Sequence, residues 1–165
     1  MAVKEILCYP DTRLKTVCAP VDELDEENQT LIQDLIDTMV AAGHSVGVAA
    51  PQIGVCRRVV VVDVSHSKLG RANHHGLLVM VNPEILEKEG RETMREGCMS
   101  VPDYTGNVVR AHSILVQFLD RDGSDRVIRA SGFEAVAIQH ELDHLDGILF
   151  LDRVSNAKTD VFRRK

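Results

Sequence analysis

Ser131-Gly132-Phe133-Glu134-Ala135-Val136-Ala137-Ile138-Gln139-His140-Glu141-Leu142-Asp143-His144-Leu145-Asp146-Gly147 is the stretch on which the reading of this chain turns. Ser131 and Glu134 form the Ser-x-x-Glu pattern of a capping box, in which a hydroxyl and a carboxylate each take an orphan N–H at a helix start. Gly147 supplies a residue suited to the left-handed turn that stops a helix. The spacing therefore predicts a helix from Ser131 to about Asp146. Inside it, His140 and His144 stand one turn apart, so both imidazoles can reach a single cation. Glu141 follows the first histidine directly and can reach a water beside that cation without ligating it.

Working outward, Ile114–Leu119 and Arg126–Ala130 flank the polar turn Asp120-Arg121-Asp122-Gly123-Ser124, which predicts a hairpin. The valine-rich segment Arg58–Val64 predicts a buried strand, and Leu77–Asn82 a second one closed by Pro83. Near the other end, Leu31/Ile32, Leu35/Ile36 and Met39/Val40 repeat every four residues and predict an amphipathic helix, capped by Asp25 and ended by Gly43. The acidic run Asp22–Glu27 suits the positive end of that helix. Tyr9-Pro10-Asp11 reads as a turn. Strands in the middle with helices near both ends predict an α+β fold: mainly antiparallel or mixed β-sheets packed around a C-terminal helix that carries the His-Glu-x-x-His motif.

Bulk properties agree with one domain spanning residues 1–165. Hydrophobic residues make up 44% and charged residues 27%, an ordinary globular balance. A net charge of −6 without a basic cluster argues against nucleic acid as a substrate. No segment is apolar enough to suggest a membrane partner, and Met1–Leu7 carries no signal-like run, so the expected location is the cytoplasm. Cys8, Cys18, Cys56 and Cys98 are accordingly expected as reduced thiols.

Two histidines are too few for a tight metal site. The remaining histidines, His44, His66, His74, His75 and His112, are open candidates for the third ligand, although His74-His75 lies in a polar stretch that reads as solvated. Cys98, in Glu96-Gly97-Cys98-Met99-Ser100-Val101-Pro102, is the more suggestive one: a thiolate binds borderline metals well, and Gly97 permits close backbone approach.

Three segments together, Val46-Gly47-Val48-Ala49-Ala50-Pro51-Gln52, Glu96-Gly97-Cys98-Met99-Ser100 and Gln139-His140-Glu141-Leu142-Asp143-His144, resemble peptide deformylase. They occur in that family's order, and the likeness runs from Ile6-Leu7 through Phe150-Leu151-Asp152. The resemblance implies a metal-dependent hydrolase that removes the formyl group from the N-terminal formyl-methionine of new polypeptides. It implies one divalent ion on Cys98, His140 and His144, natively Fe2+, with Zn2+, Ni2+ or Co2+ as substitutes in a purified sample. It implies Glu141 as the acid–base group, with the Gln52 amide and the Met99 backbone N–H beside the formyl oxygen. Val46, Met99, Val136, Ala137 and His140 would wall the methionine pocket, and the backbone at Gly47 would hold the peptide as an extended strand. N-formyl-methionyl nascent peptides and transient contact with the ribosome are the implied partners.

Ser45, Val48, Met99 and Thr105 depart from the commoner family pattern, Thr105 standing where many members have arginine. Asp143 and Arg110 match it and read as an ion pair that steadies the metal helix. A zinc metalloprotease would share the helix motif, but it would complete its site with His or Glu rather than Cys98. A non-enzymatic member that binds chain ends would have no use for the intact set of catalytic side chains.

Overall fold

The computed structural model describes residues 2–154 and 156–164. Its first helix, α1 (Glu26–Ala42), begins where Asp25 accepts the N–H of Asn28 and ends at Gly43, whose φ of 76° suits glycine. Leu31, Ile32, Leu35 and Met39 are buried along its inner stripe, whereas Val40 at the stripe's edge faces solvent.

A five-stranded sheet follows, with strands β1 (Gly47–Ala49), β2 (Val59–Val62), β3 (Leu78–Glu89), β6 (Ser113–Leu119) and β7 (Asp125–Ser131) in the order β1-β2-β3-β6-β7, every pair antiparallel. The valine run of β2 is buried on both faces because the sheet is covered on both. Side chains alternate along a strand. Val59 and Val61 accordingly pack with α1, while Val60 and Val62 pack against the second helix, α2 (Gly132–Leu145). Each such buried valine contributes on the order of 1.5 kcal/mol of hydrophobic free energy. From Glu134 to Leu145 every residue of α2 is buried, so it is enclosed on all sides.

A second sheet of three strands joins β4 (Glu92–Cys98), β5 (Val101–Arg110) and β8 (Val161–Arg163) in that order. Its small core, Leu14, Cys98, Val101, Val108, Leu149 and Phe150, meets the turn after α2.

The expected antiparallel α+β architecture, the hairpin β6–β7 and both helices are present. Two local readings are corrected. Pro83 does not close β3, which runs on to Glu89; Asn82 turns with a φ of 53° and the register shifts between Val81 and Glu84, so the residue without an N–H sits in a bulge. The Ser131–Glu134 capping box does not form. Ser131 instead accepts from the Asn73 amide, and the fully buried Glu134 carboxylate takes the backbone N–H and the ring of His75. Those bonds hold the loop before β3 against the start of α2, and His75, exposed as expected, is engaged there by Glu134.

Candidate metal centre and active site

The helix α2 delivers His140 and His144 to one side, their ring centroids 5.2 Å apart and nearly perpendicular. The strand β4 delivers Cys98 at its last residue. Ligand atoms of these three side chains all lie within 4.8 Å of one another, and Cys98 Sγ is 3.5 Å from His144 Nε2. All three residues are less than a tenth exposed. Among the described residues, none of the other five histidines joins the group. His66 contacts the Ser45 carbonyl, and His112 pairs with Glu92 at the surface.

A buried chain of charges orients the first histidine. His140 Nδ1 lies 2.8 Å from Glu96 Oε1, which leaves Nε2 turned toward the sulfur. Glu96 also receives two bonds from Arg110, at 2.6 and 2.9 Å. Arg110 donates in addition to Asp143 at 2.8 Å, and Asp143 receives two bonds from Arg153. The expected Arg110–Asp143 pair is thus the middle of a longer network. Glu96 was missed as part of it, although the period of two along β4 places Glu96 and Cys98 on one face.

Electrostatics follow from this enclosure. Burial alone would raise the Glu96 carboxyl, but its bonds to His140 and Arg110 bring it down to about 2. Burial disfavours charge on His140, yet Cys98, Glu96 and Glu141 together hold it well above the ordinary histidine range. His144, buried and facing the positive charges of His140 and Arg110, is held well below that range. Glu141 is pushed up to about 7, chiefly by burial.

These donors fit a divalent cation. Two imidazoles and a thiol converge, a metal would take the place of a proton that His140 otherwise holds, and three protein ligands leave a further coordination place. Glu141 Oε1 and His144 Nδ1 are buried without a hydrogen-bond partner among the described residues, and Glu141 stands beside the group rather than in it.

The cluster opens into a cavity of about 460 Å³. Val46, Gly47, Met99, Val136, Ala137 and His140, the expected pocket residues, all line it, as do Gln52 and Glu141. Gln52 is held rigidly: its Oε1 accepts from the Ala49 N–H at 2.9 Å, and its Nε2 donates to Ser100 Oγ at 2.9 Å and faces Cys98 Sγ at 3.5 Å. The strand β1 runs so close to α2 that a Cβ on Gly47 would meet Glu141 Cγ at 2.8 Å. Phe133, Arg95 and Arg164 also line the cavity, and sequence reasoning did not find them. Arg95 stacks on Phe162 of β8, a contact made only when the C-terminal strand folds back.

Residues 3–160 match the family model described as Polypeptide deformylase. A peptide deformylase from Thermodesulfovibrio yellowstonii is 43% identical over 100% of this chain and 97% of its own length. Among solved structures, a peptide deformylase from Legionella pneumophila superposes with a TM-score of 0.86 at 44% identity, covering 95% of this chain and 89% of that one. One from Ehrlichia chaffeensis, in complex with actinonin, gives 0.88 at 36% identity, covering 96% and 92%.

The chain belongs to the polypeptide deformylase family.

Against that family background the departures are absorbed locally. Ser45 Oγ donates to the Gly47 carbonyl at 3.0 Å, and Val48 is fully buried in the core beneath α1. Met99 lines the deformylase-like cavity itself. Thr105 pairs with Phe162 and lies against Gly97, where the Arg164 guanidinium also reaches.

Proposed function

We propose that this chain, acting as one unit over residues 1–165, removes the formyl group from the N-terminal formyl-methionine of newly made polypeptides, at a centre built by Cys98, His140 and His144. The observation that carries the reading is the convergence of these three ligand atoms within 4.8 Å, beside a buried carboxylate that is not among them, at the floor of an apolar-walled cavity. The native ion is Fe2+, and Zn2+, Ni2+ or Co2+ can replace it in a purified sample. When bound, such an ion supplies Lewis-acid polarisation and lowers the pKa of water near it.

The chain's own residues do the rest. Glu141, its carboxyl pushed to about 7 by burial, is matched to taking a proton from the attacking water and passing one to the departing amine near neutral pH. The formyl oxygen gains negative charge as water adds. The Gln52 amide, held by Ala49 and Ser100, and the Met99 backbone N–H are the donors aimed at that charge. The methionine side chain lies among Val46, Met99, Val136, Ala137 and the His140 ring, and the peptide beyond it runs as an extended strand along Gly47. Because that grip uses main-chain groups, residues after the methionine are read loosely, which suits a substrate class as broad as nascent chains. The enzyme works in the cytoplasm, with transient docking at the ribosome.

Formate release from formyl-Met-Ala, assayed without air after loading with Fe2+, Ni2+ or Co2+, tests the reading. Release of formate with no cleavage of a blocked internal peptide is expected. Cleavage of the blocked peptide alone would replace deformylation with proteolysis.

A further inference from the structure

Cys18 and Cys56 lie far apart in sequence yet meet outside the cavity, with their sulfurs 3.0 Å apart. The surrounding backbone fixes the encounter. Ala19 and Arg57 form an isolated bridge, and the Arg58 N–H donates to the Ala19 carbonyl at 3.0 Å. The two thiols therefore flank a paired stretch of main chain rather than occupying mobile tips. They also differ in access: Cys56 is exposed, whereas Cys18 is buried at 4% exposure. The site abuts the end of the metal helix. The Cys18 N–H donates to the Leu145 carbonyl at 2.8 Å, and Arg58 bonds both that carbonyl and Asp146.

We propose that Cys18 and Cys56 are a reversible thiol–disulfide site, closed by exchange with a low-molecular-weight disulfide and reopened by thiols. An exposed cysteine with a buried neighbour at contact distance is the arrangement of an attacking thiol and its resolving partner. The Cys56 thiolate attacks the small disulfide R–S–S–R, forming Cys56–S–S–R and releasing one thiolate RS⁻. The Cys18 thiol then gives up its proton and attacks the Cys56 sulfur, releasing the second RS⁻. Two protein thiols are oxidised to one disulfide while R–S–S–R is reduced to two RSH.

Burial pushes the Cys18 thiol up to about 12, with further upward contributions from its hydrogen bond and charge interaction with Cys56. The first attack therefore falls to Cys56, and the contributions from Cys56 disappear once that sulfur is in the mixed disulfide. Closure joins the segment before α1 to the loop before β2 and ties both to the end of α2. A cytoplasm that keeps most thiols reduced would hold the site open and let it close under oxidative load.

The experiment treats the metal-loaded full chain with oxidised glutathione, blocks remaining thiols, and maps digested peptides by mass spectrometry. A peptide carrying Cys18 linked to one carrying Cys56 is expected, in a chain about 2 Da lighter than the reduced form and restored by dithiothreitol. The closed form should show a Tm higher by about 5–10 °C, since the crosslink closes a long loop. In Cys18→Ser, Cys56 should stop at the glutathione mixed disulfide, about 305 Da heavier. The same mixed disulfide persisting in the wild type with Cys18 free would overturn the proposal. So would two unreacted thiols, or Cys56 joined to a second chain.

Discussion

Alanine at position 47 would test whether β1 positions the Glu141 carboxylate, proposed as the acid–base group, as well as the proposed peptide substrate. The added Cβ would stand 2.8 Å from both Glu141 Cγ and Glu141 Oε2, and 3.0 Å from Cδ. Carbon–carbon contacts settle near about 3.5 Å at the closest, so relief requires a movement of about 0.7 Å, taking 3.5 minus 2.8. The Gly47 backbone is outside the left-handed region, so alanine adds no strain beyond this contact. The strand cannot retreat easily, because Gly47 is paired with Val62 and Val48 is fully buried. Most of the movement therefore falls on the Glu141 side chain. A displacement approaching 1 Å at a reacting group costs up to about 100-fold in rate, so kcat of Gly47→Ala should fall about 10- to 100-fold. The assay is formate release from formyl-Met-Ala over a range of substrate concentrations, with metal content and Tm measured on the same preparation. Loss of main-chain grip alone would raise KM and spare kcat. A variant with full metal content, unchanged Tm and a kcat within about twofold of wild type would refute the reasoning.

Three further perturbations separate the roles of the buried groups. Glu141→Gln should retain metal and fold but lose about 10²–10⁴ in formate release; in the chelator-stripped protein it should also raise Tm at pH 8. Because the folded Glu141 carboxyl is raised to about 7, the wild type loses stability as pH climbs from about 4.5 to 7, so the Tm advantage of the variant should shrink toward pH 4.5, as a thermal scan across pH would show. Glu96 has the opposite sign: its folded value of about 2 lies below the ordinary 4.5, so it contributes stability above pH 4.5, on the order of 3 kcal/mol, which is lost as pH falls toward 2. Glu96→Gln should therefore flatten acid unfolding in that window and weaken metal affinity about 10- to 100-fold in chelator competition. Cys98→Ser should leave Tm of the stripped protein nearly unchanged while speeding metal loss to a chelator, and equal retention by the variant would remove the sulfur from the ligand set.

What could be read beforehand was what repeats locally. The helices announce themselves because their apolar residues and caps fall within one or two turns, as at Asp25 and Gly43. The β2 valines do so because burial on both faces leaves no polar alternation to blur them. The strands β4 and β5 were silent for the converse reason. In Glu92-Thr93-Met94-Arg95-Glu96-Gly97-Cys98 the polar residues outnumber the apolar ones, and only Glu96 and Cys98 are buried. The two strands pair with each other as a hairpin turned at Met99-Ser100, but no apolar alternation within either strand announces it. Ser131 and Glu134 misled because a capping box and a loop tether use the same two side chains; the presence of Asn73 and His75 decides between them, and neither is near in sequence.

The same distinction runs through the site. Two ligands four apart on a helix are a local pattern, whereas the approach of Cys98 depends on a strand 42 residues away; thiolate chemistry beside Gly97 made it the more suggestive of several candidates, and the family likeness singled it out. The physical link between these parts is the alternating chain Arg153, Asp143, Arg110, Glu96 and His140. It starts after α2, crosses that helix, passes through β5 to β4, and returns to α2 at the first histidine ligand. Each interior member is compensated on two sides, so losing Glu96 leaves Arg110 with Asp143 alone and leaves the buried His140 Nδ1 without its carboxylate partner. Hydrophobic packing could hold the three-stranded sheet against the helix, but it would not fix which nitrogen of His140 faces Cys98. The Glu96 carboxylate does so by occupying Nδ1, and Arg110 keeps that carboxylate charged and in place. Buried charge is thus retained here because it specifies ligand orientation, and removing Glu96 should disturb the metal centre more than the loss of one surface ion pair ever could.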